Sequence, residues 1–220
     1  MLTSTIGKKL VMSATGLFLC LFLVIHLTVN ALALVPDNGA LFNEWAHFMG
    51  SNFFIRAMEI VLFLGIIAHV VQSAVLTIDN RKARPVGYGV NNPPSNRSPW
   101  YSRNMGILGS LILFFLIVHL RQFWVISRFV GYPMDPNGYP NQYPDFIVVF
   151  SNVWYVALYV VGVAALLYHL LHGFQSAWRT LGVMHSKWTP VIKGFGVLYS
   201  VLLCLGFAII PVYIYFTQHS

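Results

Sequence analysis

The stretch Val160-Val161-Gly162-Val163-Ala164-Ala165-Leu166-Leu167-Tyr168-His169-Leu170-Leu171-His172-Gly173 decides the fold. It is apolar enough to sit in hydrocarbon, yet it holds an imidazole well short of its polar end. An unpartnered polar side chain in lipid costs free energy, so such a residue implies something bound to it. Three further apolar runs carry His26, His69 and His119, which turns one oddity into a pattern.

The totals agree with that reading. A chain of 220 residues with 57% hydrophobic and 9% charged residues and a mean hydropathy of +0.69 is an integral membrane protein, with residues 1–220 forming one bundle. The net charge of +7 comes without a basic stripe or stacking platform, so nucleic-acid binding is not expected and the excess marks membrane orientation. Cys20 and Cys204 both lie in apolar runs, as reduced, packed thiols do. Lys8 and Lys9 precede an apolar run too long for a signal peptide and lacking a small-residue cleavage site, so this run is expected to be a retained span.

Crossing the hydrocarbon region takes about twenty apolar residues. Five segments reach that length, at roughly 10–35, 53–78, 105–126, 147–171 and 191–215. Only helices and closed barrels satisfy their backbone groups in lipid, and no alternating barrel pattern occurs, so the fold is all-α, an integral membrane bundle of five transmembrane helices. The segments between them, including 36–39, 84–99, 133–144 and 182–190, carry turn chemistry. Ten of the thirteen basic residues (Lys8, Lys9, Arg81, Lys82, Arg84, Arg97, Arg103, Arg179, Lys187 and Lys193) fall on one side. Arg56, Arg121 and Arg128 lie at the other ends, near Asp37, Glu44, Asp135 and Asp145. The positive-inside rule then predicts a cytoplasmic N-terminus and, with an odd number of spans, a C-terminus outside.

Helical rise converts sequence distance into depth. His26 is seventeen residues past Lys9 and His119 sixteen past Arg103, so both sit roughly 25 Å from the inner edge. His69 is ten residues before Asp79 and His169 ten before Arg179, so both sit roughly 15 Å deep. Two imidazoles level with each other on two helices are what a haem iron needs for axial ligation on both faces. The spacing therefore predicts two b-type haems, an outer one between His26 and His119 and an inner one between His69 and His169. Covalent c-type attachment is excluded because no Cys-x-x-Cys-His occurs. A lone membrane histidine is as often a packing hydrogen bonder or a proton carrier; four in two matched pairs outweigh that reading. Zinc is a poorer use of them, since a depth difference of roughly 10 Å keeps the four from one ion. His172 would sit nearer the interface, facing a propionate or a neighbouring helix, and His47, His185 and His219 read as loop or terminal residues.

The residues resemble a known family, the five-helix dihaem cytochrome b membrane subunit of succinate:quinone oxidoreductases, which comprise succinate dehydrogenases and fumarate reductases. The likeness runs through Ser13-Ala14-Thr15-Gly16 leading to His26-Leu27-Thr28-Val29-Asn30, then Phe42-Asn43 and His47-Phe48-Met49 ahead of Ala57-Met58-Glu59. It continues through Ile67-Ala68-His69, Val118-His119, and Tyr159-Val160-Val161-Gly162-Val163 ahead of His169 and Gly173. The resemblance implies that the first and third spans hold the haem distal to the catalytic subunits and the second and fourth the proximal one, the pairing depth gives independently. It selects His169 over His172, because the family pattern is a ligand histidine with glycine four residues on. His172 and Ser13 then become candidates for the haem propionates.

The same resemblance implies a flavoprotein with FAD and an iron–sulfur subunit docked on the cytoplasmic face, against 81–103 and 179–193, in a prokaryotic inner membrane. A dimer of such heterotrimers is a further expectation. Menaquinone is the expected quinone, and the dicarboxylate chemistry belongs to the flavoprotein, leaving this chain as the quinone-reactive subunit. Topology and anionic lipid alone would also account for most of the basic residues. Some fumarate-reducing relatives have a glutamate where Leu167 stands here, so transmembrane proton compensation is not expected. Gly50 likewise replaces an acidic residue of some relatives. Quinone reduction takes two protons, and Glu59 and Glu44 are the carboxylates placed to supply them. Glu59 at i+3 from Arg56 could equally be a structural anchor. A dihaem subunit of another membrane dehydrogenase, such as a hydrogenase or formate dehydrogenase, is the alternative; a cofactor-free transporter with histidine proton relays is a more distant one.

Overall fold

The structure is a computed structural model that describes residues 4–82 and 99–220. Arg84 and Arg97, two of the basic residues expected at the docking face, lie outside the described residues. Eight helices follow in order among those described: α1 Thr5–Ala31, α2 Ala40–Ser51, α3 Phe53–Lys82, α4 Trp100–Arg103, α5 Met105–His119, α6 Tyr143–Phe150, α7 Val153–Thr180 and α8 Thr189–His219. Five stretches are long and apolar enough to cross a membrane: Thr5–Leu34, Phe53–Lys82, Met105–Val130, Val153–Thr180 and Thr189–His219. The all-α, five-span bundle expected from the sequence is the one observed.

Ties between elements show that successive spans alternate in direction. Lys8 at the start of α1 meets Asp79 at the end of α3 at 2.8 Å, and Arg128 at the end of the third span meets Glu59 at the start of α3 at 2.6 Å. Tyr159 near the start of α7 donates to Gln122 just past α5. We call the Lys8–Asp79 end inner and the Glu59–Arg128 end outer, after the orientation the charges predict.

Local chemistry fixes the helix ends. Ser4 Oγ accepts from Gly7 N at 3.1 Å and starts α1, and Asn52 Oδ1 accepts from Phe54 N at 3.0 Å and starts α3. At the outer end of α1, Asp37 accepts from the amides of Gly39 and Leu41, and Gly39 turns with φ +80° into α2.

The fourth span differs from its expected limits. Residues 147–150, expected to open it, belong to the separate helix α6, because Asn152 is extended (φ −98°, ψ 117°) and its Oδ1 caps α7 through Trp154 N at 2.9 Å. Helices also run past the apolar stretches at the inner side, to Lys82 and Thr180, since polar residues at the interface can stay helical. The third span loosens past His119, where Leu120–Trp124 and Ile126–Val130 are wound as π-helix, with Gly131 N bonding back to Ile126 O at 2.8 Å.

The centre of the bundle is α7. It buries eight residues, more than any other helix, and touches α1, α5, α6 and α8, whereas α3 buries none of its thirty. An outer core of Ala33, Phe42, Phe146, Phe150, Val156, Tyr159, Ile210 and Ile214 closes one end, and Val163, Leu170, Leu203 and Cys204 join α7 to α8. Both cysteines are free thiols. Large apolar side chains cover much of the remaining helix surface, an exposed area of the kind a lipid bilayer covers.

The 132–142 connection is held down by a single buried amide. Asn43 on α2, 1% exposed, donates to Asp135 Oδ2 and Asn141 Oδ1 and accepts from Gln142 N and Tyr143 N. The amide of Tyr139, backed by the Asn43 side chain and the amides of Asn137 and Gly138, holds the Asp135 carboxyl below the usual carboxylate range.

Candidate functional site: two histidine pairs

The four histidines come together as two pairs, each drawn from two helices. The ring centres of His26 on α1 and His119 at the end of α5 are 5.6 Å apart with planes at 89°. Those of His69 on α3 and His169 on α7 are 6.1 Å apart with planes at 62°. An iron bonded to one nitrogen of each ring at about 2 Å keeps two imidazole centres roughly 6 Å apart, so both spacings suit axial ligation from two sides. No group of three or more His, Cys, Asp or Glu converges among the described residues.

The outer pair is walled by aromatic rings. Phe22 stacks on His26 at 5.2 Å and Phe207 leans on it at 5.8 Å; Phe115 stacks on His119 at 5.7 Å with Phe123 at 5.5 Å. Tyr159 Oη lies 3.2 Å from His119 Nδ1. Asn30, one turn beyond His26, donates its side-chain amide to the His26 carbonyl at 2.8 Å, with that amide 3.4 Å from the ring's Nδ1.

At the inner pair the hydrogen bonds of Thr15 imply a tautomer for His69. Thr15 Oγ1 donates its one proton to the carbonyls of Val11 and Met12, at 2.8 and 3.2 Å. Toward His69 Nδ1, at 3.2 Å, the hydroxyl is therefore an acceptor, so Nδ1 carries the ring proton and Nε2 keeps its lone pair, the tautomer a metal ligand requires. His169 Nδ1 is buried with no hydrogen-bond partner among the described residues. Gly16 on α1 and Gly173 on α7 lie beside the rings, and a Cβ would reach only ordinary contact at either, 3.4 Å from His69 Cε1 and 3.9 Å from His169 Cδ2. Two imidazoles from two helices at each level, with a lone pair left on His69 Nε2, are a donor set that would suit haem.

The other expected residues fall outside the pairs. Ser13 is 4% exposed and spends its proton on the Lys9 carbonyl at 2.9 Å. His172 is half-buried one turn beyond His169 and joins neither ring pair. Glu44 is exposed on α2, at the rim of an open cleft of about 450 Å³ with Asp37, Leu41, Asn137 and Tyr139. His47 is exposed against Tyr139, and His185 and His219 are exposed as well.

Glu59 is the most heavily engaged carboxylate. Its Oε1 accepts from Trp124 Nε1 at 2.6 Å and Arg128 Nε at 3.2 Å, its Oε2 from Arg128 Nη2 at 2.6 Å and Arg56 Nη1 at 2.9 Å. Arg128 also donates to the Gly50 carbonyl at 3.2 Å, so the network ties α2, α3 and the third span together. This geometry is that of an anchor, one of the two roles the sequence leaves open for Glu59. Glu59→Gln strands the partly buried Arg128 and is expected to cost about 1–3 kcal/mol, against about 1 kcal/mol or less for the exposed Arg56→Gln. Thermal unfolding of the two variants checks this, and equal midpoints would rule out the anchoring role.

Sequence reasoning gave Tyr159, Thr15, Gln122, Trp124 and Arg128 no role beyond a place in quoted motifs or a charge tally. Two of them were reachable: Tyr159 is ten residues outward of His169 and Thr15 eleven inward of His26, so helical rise sets each within roughly 6 Å in height of the other pair, a side chain's reach. No family model matches the chain, and no curated protein or solved structure matches it.

Proposed function

We propose that this chain is the membrane-anchor cytochrome b subunit of a succinate:quinone oxidoreductase, passing electrons between an iron–sulfur subunit and membrane quinone through two b haems. The observation that carries the reading is the meeting of four intramembrane histidines as two ring pairs, at 5.6 and 6.1 Å, on two pairs of helices. His26 and His119 would hold the distal haem, His69 and His169 the proximal one. When bound, haem supplies a reversible one-electron site at each level.

The chain's own residues do the rest. Thr15 keeps the His69 ring proton on Nδ1, and Phe22, Phe115 and Phe207 exclude water from the outer pair. The engaged state of Glu59 makes Glu44, exposed at the outer side, the freer proton donor for quinone. At the inner side Arg81, Lys82, Arg103, Arg179, Lys187 and Lys193 are all exposed, a basic surface suited to the iron–sulfur subunit and its flavoprotein partner. The resemblance adds menaquinone, a prokaryotic inner membrane and assembly as a dimer of heterotrimers.

The test is a reduced-minus-oxidised spectrum with pyridine haemochrome quantification on the purified complex. Two haem b per chain are expected, with co-purifying succinate-oxidising flavoprotein. A colourless protein overturns the reading, and a haem protein accompanied by a hydrogenase or formate dehydrogenase moves it to that class.

A further inference from the structure

Each hydroxyl carries one proton, and its destination decides which nitrogen of a neighbouring imidazole is protonated. Tyr159 Oη lies 2.8 Å from Gln122 Oε1, an atom that only accepts, so the phenol donates there. Toward His119 Nδ1, at 3.2 Å, the same oxygen is left as an acceptor. Nδ1 then holds the ring proton and Nε2 keeps its lone pair. Tyr159 and Gln122 are 6% and 8% exposed, so no bulk water competes for either group. Gln122 reaches this position just past His119, where the third span changes to π winding, and its Nε2 finds no partner among the described residues.

We infer that Tyr159 and Gln122 are a positioning pair that fixes the His119 tautomer, Gln122 acting through the phenol. The inference rests on the reading of His119 as an axial ligand. It gives the two levels different devices for one end: backbone carbonyls orient Thr15 at the inner pair, whereas a side-chain amide orients Tyr159 at the outer one. Without the amide oxygen, the phenolic proton has His119 Nδ1 as its remaining acceptor. That drives the ring proton to Nε2 and removes the lone pair a metal needs.

The test is haemin titration of the detergent-solubilised full chain, with a redox titration that resolves the two haems. Gln122→Leu and Tyr159→Phe are each expected to weaken one of the two haems 10- to 100-fold and leave the other unchanged, the range for lost outer-shell partners of metal ligands. Gln122→Glu keeps an acceptor oxygen and is expected to restore wild-type affinity, which a purely donating amide at this position would not allow. In Tyr159→Phe the surviving outer haem should titrate at higher potential, because an imidazole that has lost its Nδ1–H acceptor donates less to iron. Thr15→Val should affect the other haem. Gln122→Leu with wild-type affinity and potentials at both haems overturns the inference, as does Gln122→Glu behaving like Gln122→Leu. If His119→Ala itself retains both haems, it is the ligand reading that fails.

Discussion

His119→Ala is expected to bring the haem content of the purified chain from two to one, and His26→Ala to leave the same single haem with the same spectrum. His69→Ala and His169→Ala should likewise leave one haem, the other one. The rings meet only within a pair, His26 with His119 at 5.6 Å and His69 with His169 at 6.1 Å, each pair bridging two helices. Removing either ring would take away half of the proposed axial ligation at one level and opens an apolar cavity among Phe22, Phe115, Phe123 and Phe207 at the outer one. Pyridine haemochrome gives the stoichiometry and low-temperature difference spectra give the grouping. What decides is that four variants fall into two indistinguishable couples. His26→Ala and His69→Ala sharing one residual spectrum would break the pairing, and four variants with two haems each would remove histidine ligation altogether.

The couples were legible in the sequence because a membrane helix translates residue number into height. Counting from Lys9, Arg103, Asp79 and Arg179 sets His26 level with His119 and His69 level with His169 without reference to neighbours. The fold class followed from the same property, since five apolar runs leave lipid little choice but helices. Height says nothing about azimuth, and what depends on azimuth was not legible. Glu59 and Arg128 are sixty-nine residues apart, and nothing in either local pattern shows that their side chains meet. The Arg56 pairing was visible because it lies within one helix turn, and it proves to be the most exposed of the contacts Glu59 makes with charged partners. The split between α6 and α7 was hidden for another reason: an apolar run reads the same whether one helix or two pass through it, and only Ser151-Asn152 marks the break. The π winding after His119 leaves no signature in hydropathy, yet it lies where Gln122 meets Tyr159 and Trp124 meets Glu59.

Gly162→Val is expected to destabilise the bundle and the proposed outer haem site together. A Cβ at Gly162 would stand 2.7 Å from both Cδ2 and Cγ of Phe115 and 3.2 Å from its Cβ. Turning the phenyl ring cannot relieve this, because the obstruction reaches to the base of the side chain. Either α5 and α7 separate, or Phe115 moves into the two groups it contacts, His119 stacked at 5.7 Å and Tyr159 edge-on at 5.0 Å. Overpacking of this kind costs about 1–3 kcal/mol, and valine adds β-branching to the strain that alanine already imposes. Gly206 has a would-be Cβ just as close to a neighbour, 2.7 Å from Leu27 Cδ2, but that atom is the far end of a flexible chain that can turn away. Gly109 meets nothing within 4 Å, so alanine there should be neutral or slightly stabilising through helix propensity. The expected order of thermal midpoints is therefore Gly109→Ala highest, then Gly206→Ala, Gly162→Ala and Gly162→Val, with the outer haem's spectrum altered only in the last two. A Gly162→Val chain with wild-type midpoint and both haems unperturbed would mean that Phe115 does not couple the α5–α7 contact to His119.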